Sequence, residues 1–194
     1  MRRAGLPNRT QAKNFFYGLL FGAGVGKIAK VTKKSTTEAK QLLEFYFEQM
    51  PGLKALLDKL KLEWKQTAKK IYNPKFNRME YHNGYITGLD GRPIRVTNEH
   101  ELLVYLLQSD EAIQMAAAYV WFCAAMDKEG YVWDRDWAML IWYHDEFQIE
   151  CRPEIAGHVK WLAEQSITWA GKFYSIDCPH EGDGKYGYSW AETH

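Results

Sequence analysis

The run Arg9-Thr-Gln-Ala-Lys13-Asn-Phe-Phe-Tyr17-Gly18-Leu-Leu-Phe21-Gly22-Ala-Gly24 constrains this chain more than any other segment. Arg9, Lys13, Tyr17 and Phe21 stand at four-residue steps. On an α-helix four residues make one turn plus a drift of roughly 40°, so these side chains line one spiralling face about 18 Å long. Phe15, Phe16, Leu19 and Leu20 form the apolar opposite side. The spacing predicts a helix over residues 9–23, with Asn8 as N-cap and Pro7 keeping the preceding chain extended. The positive end of the helix dipole then lies beside Arg9 and Lys13 and favours a polyanion there. A guanidinium can fork onto phosphate oxygens, while an ammonium acts as a point charge. Cations first and rings last suit a nucleoside triphosphate, with sugar and base further along the groove. Gly18 and Gly22 remove bulk beside the rings. The plain alternative is an amphipathic surface helix with solvated cations. It explains any two cations at this spacing but not the full series.

Balanced charge, +1 over 194 residues, gives no global field that announces nucleic acid. Locally the charge is uneven: residues 27–40 and 54–78 are Lys-rich, and the last third carries much of the acid. Cys123, Cys151 and Cys178 lack metal-ligand spacing and suggest no disulfide framework, which suits a reducing cytoplasm. No signal peptide is evident, and the Leu19-Leu20 region is too short and Gly-punctuated to span a bilayer, so no membrane role is expected. Eight Trp and twelve Tyr are many for this length, and core packing is their simplest use.

Further elements follow from periodicity and breakers. A second helix is expected over 36–49, capped by Thr36 or Thr37 and broken by Pro51 and Gly52. A third runs from Leu53 to Ile71, with Leu53, Leu56, Leu57, Leu60 and Trp64 on one stripe and a Lys face most simply solvated. Asn73 to Asn83 reads as a polar loop. Residues 85–96 read as a β-hairpin turning at Leu89-Asp90-Gly91. A long helix is expected from about Asn98 through Met126, then strands at 138–143 and 147–152, a helix over 153–171, and a looped tail closing on Trp190 and His194.

The turn between those two strands is the second informative site. An apolar strand from Ala138 to Tyr143 runs into His144-Asp145-Glu146 and leaves as an alternating strand. A hairpin tip offers carboxylates to a cleft without burying charge, and hard oxygen ligands suit Mg²⁺. By itself this tripeptide is also compatible with an ordinary solvated turn.

The first run resembles motif B of family A DNA polymerases: Arg-x3-Lys-x3-aromatic-x3-aromatic with Gly after each ring. Ala4-Gly5-Leu6-Pro7 before it and Gly22-Ala-Gly24 after it resemble the thioredoxin-dependent replicative polymerases of short-tailed bacteriophages. The resemblance implies that Arg9 and Lys13 hold the triphosphate and that Tyr17 packs against the sugar. It also implies that a phenol there tolerates dideoxynucleotides better than a phenyl ring does. Gly18 and Phe21 are implied in template and primer contact. The family usually has Tyr at the second ring; Phe21 keeps the stacking surface and lacks the hydroxyl.

His144-Asp145-Glu146 is similar to motif C of the same family. The resemblance implies that Asp145 binds both of two Mg²⁺ ions, that Glu146 supports the site, and that His144 contacts the primer end. His100 and Gln108 match minor-groove readers at the head of the long helix, although Val104 stands where an Asn is expected and can neither donate nor accept. The segment Gly184-Lys-Tyr-Gly-x2-Trp190-Ala-x2-His194 resembles the phage enzymes' C-terminus. The implied fold is α+β: a helical fingers part over 1–84 and, over 85–194, part of an antiparallel palm with the minor-groove helix and motif C. The implied setting is the cytoplasm of a phage's bacterial host.

No Asp-Tyr-Ser-x2-Glu-like strand, the second palm carboxylate of motif A, is found in the sequence. One Asp cannot hold two Mg²⁺ ions in register. The expectation is the C-terminal piece of a split polymerase, inactive alone. It would act on primer-template DNA and dNTP with an N-terminal fragment carrying exonuclease, thumb and motif A, through which a processivity factor could bind. The rival from another class is a catalytically inactive remnant or accessory DNA-binding module, which Val104 favours. A metal-dependent hydrolase built on His144, Asp145 and Glu146 leaves the helix at 9–21 without a role.

Overall fold

A hydrogen-bonded stop fixes where the first helix ends. In the computed structural model, which describes residues 9–193, α1 spans Arg9–Leu20. The Ala23 amide donates to the Gly18 carbonyl at 2.7 Å and the Gly22 amide to Leu19 at 3.0 Å. Gly22 has φ 67°. This paired arrangement around a left-handed residue is a Schellman stop, and it ends the helix earlier than the expected residue 23. The expected Asn8 cap and Pro7, like His194, lie outside the described residues.

Contacts divide the chain into two units, one running to Gln108 and one from Ser109. In the first, α1 is followed by α2 (Val25–Thr32), α3 (Thr36–Gln49) and α4 (Pro51–Thr67). α2 is a helix that the Lys-rich sequence there did not suggest. The cap of α3 is Ser35, not Thr36 or Thr37: its hydroxyl accepts from the Glu38 amide at 3.2 Å while the Glu38 carboxylate accepts from the Ser35 amide at 2.8 Å. This reciprocal box satisfies two amides that a helix start otherwise leaves open. Pro51 stops α3 and starts α4, since the first turn of a helix needs no amide there.

α4 ends at Thr67, four residues short of the expected Ile71. The Thr67 hydroxyl donates to the Trp64 carbonyl at 3.1 Å and accepts from the Tyr85 amide at 2.8 Å. The chain then leaves as β1 (Lys69–Asn73), which pairs antiparallel with β2 (Arg78–His82). The expected polar loop at 73–83 is therefore corrected to a hairpin. Its strands have no wholly buried face, so hydrophobic alternation could not reveal them, and Pro74 and Asn77 mark only its turn. The expected second hairpin forms as β3 (Gly84–Thr87) with β4 (Pro93–Val96).

Trp64 locks this unit together. It is fully buried, and its indole N–H donates to the Val96 carbonyl at 2.8 Å. A Cβ at Gly84 would lie 2.6 Å from Trp64 Cδ1, so only glycine lets β3 begin this close. Leu60, Ile86, Val96 and Leu102 complete that core, while Phe15, Ile28, Ala39 and Leu42 form a second one beneath α1.

The long helix α5 spans Leu102–Lys128 and is preceded by a 3-10 turn, Glu99–Glu101. The second unit contains the rest of α5, then β5 (Trp137–Tyr143), β6 (Glu146–Cys151), a 3-10 turn at Pro153–Ile155, α6 (Ala156–Phe173) and a terminal turn of helix, α7 (Trp190–Thr193). Its core is Phe122, Met126, Trp137, Ile155, Val159 and Leu162. Asp136 ties the entry to β5: its carboxylate accepts from the Val132 amide at 2.8 Å and from Arg135 at 2.7 Å, and lies 3.3 Å from Arg152 Nε. The tail crosses α6, with the Gly184 amide donating to Glu164 at 2.9 Å and Lys160 pairing to the same carboxylate at 2.7 Å. The described residues are α+β, helices with three two-stranded antiparallel sheets.

Candidate nucleotide and metal sites

α1 presents Arg9, Lys13 and Tyr17 on its exposed side, and Phe21 follows one residue past its end. Tyr17 is 46 % exposed, and Lys13 Nζ stands 5.5 Å from its ring centroid. The cation and the ring therefore form one continuous surface. Phe15 and Leu19 anchor the opposite side by burial. Phe16, expected on that apolar side, is largely exposed and leans on Tyr46 at 6.4 Å between ring centroids. At Gly18 a Cβ would come within 3.1 Å of Ile28 Cδ1, so this glycine also lets α2 approach α1.

Gly22 packs against the peptide of His100: a Cβ there would lie 2.7 Å from the His100 carbonyl carbon and closer still to its oxygen. The segment that follows α1 thus ends against the one that carries the first expected minor-groove residue. His100 itself lies in the 3-10 turn, not in an α-helix beginning at Asn98. Asn98 and Glu101 close a capping box that delays α5 to Leu102. The helical two-turn spacing between His100 and Gln108 therefore does not hold over its first step. Both side chains are exposed, and Val104 is half-buried.

In the second unit, β5 and β6 turn through only two residues, His144 and Asp145, because Glu146 already pairs with Tyr143. The expected three-residue tip is corrected accordingly. His144 takes φ 53°, and its carbonyl accepts from Trp142 Nε1 at 3.1 Å. The left-handed residue suits a tight hairpin turn. Asp145 is exposed at the tip and takes part in no hydrogen bond or ion pair among the described residues. Glu146 accepts from Gln148 Nε2. His144 Nδ1 lies 3.9 Å from Glu111 of α5, a neighbour more than thirty positions away that no local pattern in the sequence signals.

This donor set fits one corner of a divalent-cation site and not a whole one. No group of three or more His, Cys, Asp or Glu able to hold a metal ion occurs among the described residues. Two adjacent carboxylates at a solvent-facing turn supply hard oxygens, and further ligands have to come from elsewhere. No described helix is long and apolar enough to cross a membrane.

Residues 4–192 match the family model described as DNA polymerase family A. The chain is 31 % identical to the DNA-directed DNA polymerase of Enterobacteria phage T3 over 98 % of its length, and equally to that of Escherichia phage T7. It is 26 % identical over 95 % of its length to DNA polymerase I of Aquifex aeolicus. It spans 27 % of each of the two phage proteins and 30 % of the Aquifex protein. The POL domain of Pol1 from M. smegmatis, in complex with DNA primer-template and dNTP, superposes with a TM-score of 0.70. That likeness covers 92 % of this chain and 31 % of the other at 23 % identity, and shows the fold. The family model matches nearly the whole length of the chain, and the phage relatives are 31 % identical over 98 % of it: the chain belongs to DNA polymerase family A.

Proposed function

We propose that this chain supplies the fingers and the C-terminal part of the palm of a template-directed DNA polymerase, and that motif A is contributed by a partner chain. Residues 1–84 act as fingers and 85–194 as palm. The observation that carries this reading is the exposed series Arg9, Lys13 and Tyr17 on α1, combined with a solvent-facing Asp145 at a hairpin turn in a family A chain. The solved relative holding primer-template and dNTP supports DNA and dNTP as partners.

In this reading Arg9 grips phosphate oxygens through its planar fork, and Lys13 adds charge while its position over Tyr17 keeps the ammonium beside the nucleotide's sugar. Tyr17 closes on the sugar. Asp145, with Glu146 beside it, would hold part of a Mg²⁺ pair, which would supply a lowered pKa to the primer hydroxyl and positive charge for the leaving pyrophosphate. His144, Gly18, Phe21, His100 and Gln108 line the primer and template. The reaction joins the primer 3′ oxygen to the α-phosphorus of the dNTP and releases pyrophosphate.

The test is reconstitution. The purified chain is mixed with the segment carrying motif A, thumb and exonuclease, and extension of a recessed primer is followed with dNTP and Mg²⁺. Extension by the mixture and by neither part alone is expected; a stable complex that extends nothing overturns the proposal. Val104 favours a second reading, a noncatalytic module that binds primer-template, because a half-buried valine offers no groove contact. That module would hold primer-template in the same mixture without extending it.

A further inference from the structure

The hairpin of β5 and β6 meets α5 through side chains set at four-residue steps along the helix. Tyr119 packs its ring on Trp142 at 5.8 Å and on Phe147 at 5.9 Å between centroids. Trp142 and Phe147 stand opposite each other in the hairpin and meet edge to face at 5.6 Å. Met115, one turn before Tyr119, is buried. Glu111, a further turn before it, brings Oε1 to 3.9 Å from Nδ1 of His144 at the hairpin tip. Residues 111, 115 and 119 share one face of a helix, so the aromatic packing that docks the hairpin also carries Glu111 to the turn.

His144 is thereby approached from three sides. Its carbonyl accepts from Trp142 Nε1 at 3.1 Å, and its φ of 53° sets the turn. The Tyr143 ring stands edge to face against the imidazole, 4.6 Å between centroids. Glu111 takes the Nδ1 edge. At 3.9 Å the pair is at ion-pair distance and beyond a direct hydrogen bond. A carboxylate there favours the ring orientation that turns an N–H towards it. With Nδ1 so turned, Nε2 is the nitrogen left for a ligand. The His144 side chain is 66 % exposed, which leaves room for one.

We propose that Glu111 is a positioning residue of the polymerase site, holding the His144 imidazole with Nδ1 inward so that Nε2 faces the primer end. The inference rests on the polymerase reading above. Glu111 touches no substrate and acts through His144 alone. Without its carboxylate the exposed ring is free to change rotamer, and binding each primer end has to order it at an entropic cost. An exposed ion pair is a weak constraint, so the effect is a few-fold change in binding and not a loss of chemistry.

The first measurement uses the chain as it is and needs no polymerase activity. Carbon-13 relaxation at Cε1 of His144, assigned by the signal that disappears in His144→Gln, reads the order of the ring. An order parameter of about 0.8 in the wild type, falling below about 0.6 in Glu111→Ala, is expected. Equal order in the two chains overturns the proposal. The second measurement uses the reconstituted mixture. Glu111→Ala is expected to raise KM for primer-template about three- to fivefold while kcat and KM for dNTP stay within about twofold. In a His144→Ala chain the same substitution is expected to add nothing, because no ring remains for the carboxylate to hold. An equal loss in the His144→Ala chain overturns the proposal. Circular dichroism and the melting temperature check that each variant is folded. A wild-type mixture that extends no primer overturns the polymerase reading itself, whereas a mixture that extends primer equally well with Glu111→Ala overturns this inference alone.

Discussion

The α-carbon of Gly22 lies directly against the carbonyl of His100, closing the end of α1 onto the start of the segment that leads into α5. Glycine is required there twice: by its φ of 67°, and by the lack of room for any Cβ. Gly22→Ala is therefore expected to destabilise the chain by at least about 2 kcal/mol and to lower the melting temperature by several degrees. Gly26→Ala, in α2 with nothing within 4 Å of its added Cβ, is the control. It should be neutral or stabilise by about 0.5–1 kcal/mol. Equal melting of the two variants in calorimetry would contradict the contact.

Acid should loosen the second unit through Asp136. Its carboxyl is lowered from the usual 3.8 to about 2, first by the Arg135 guanidinium and then by the Val132 amide. A lowered folded value means that the unfolded chain binds the proton more readily. The stabilisation is complete above about pH 4 and is lost as pH falls from there through about 2. Asp136→Asn should melt lower than wild type at pH 7, and the gap should narrow towards pH 2. A gap that stays constant across that range would mean that the charge on Asp136 is not what holds the loop.

Apart from a single bridge from Trp137 to Trp133, β5 pairs among the described residues with β6 alone, yet Leu140, Ile141, Trp142 and Tyr143 are all exposed along it, Tyr143 to 65 %. Such an apolar strand edge invites further pairing. The isolated chain should bind a hydrophobic dye or self-associate, and Leu140→Lys with Tyr143→Lys should suppress both. A monodisperse, dye-silent wild-type chain would show that this edge needs no neighbour.

In the proposed polymerase Tyr17 packs against the sugar and bears on its discrimination. In the reconstituted polymerase, Tyr17→Phe should lower incorporation of dideoxynucleotides relative to deoxynucleotides by about tenfold, the scale of one hydrogen bond. Competitive single-nucleotide incorporation measures this ratio. An unchanged ratio would detach the Tyr17 hydroxyl from the sugar.

Much of this could be read from the sequence where side-chain period and chemistry coincide. The four-residue series on α1 needed only helical geometry, and the apolar strand before His144 needed only a turn. What was hidden depends on partners distant in sequence. α4 stops at Thr67 because the Tyr85 amide claims its hydroxyl. His100 leaves the helix because Asn98 and Glu101 cap each other below it. β1 and β2 pair through backbone while their side chains stay largely in water, so no apolar alternation marks them. The nearness of Glu111 to His144 arises only when α5 and the hairpin pack.

The most direct measurement of the central claim is single-nucleotide incorporation by the reconstituted mixture with Asp145→Asn in this chain. The substitution keeps the size of an exposed turn residue and removes the charge proposed to hold part of the metal pair. With an unchanged partner chain and an unchanged complex, the account predicts that kcat falls by at least about a thousandfold, roughly 4 kcal/mol of transition-state stabilisation. Incorporation within a factor of about ten of wild type would contradict it, placing the chemistry wholly on the other chain.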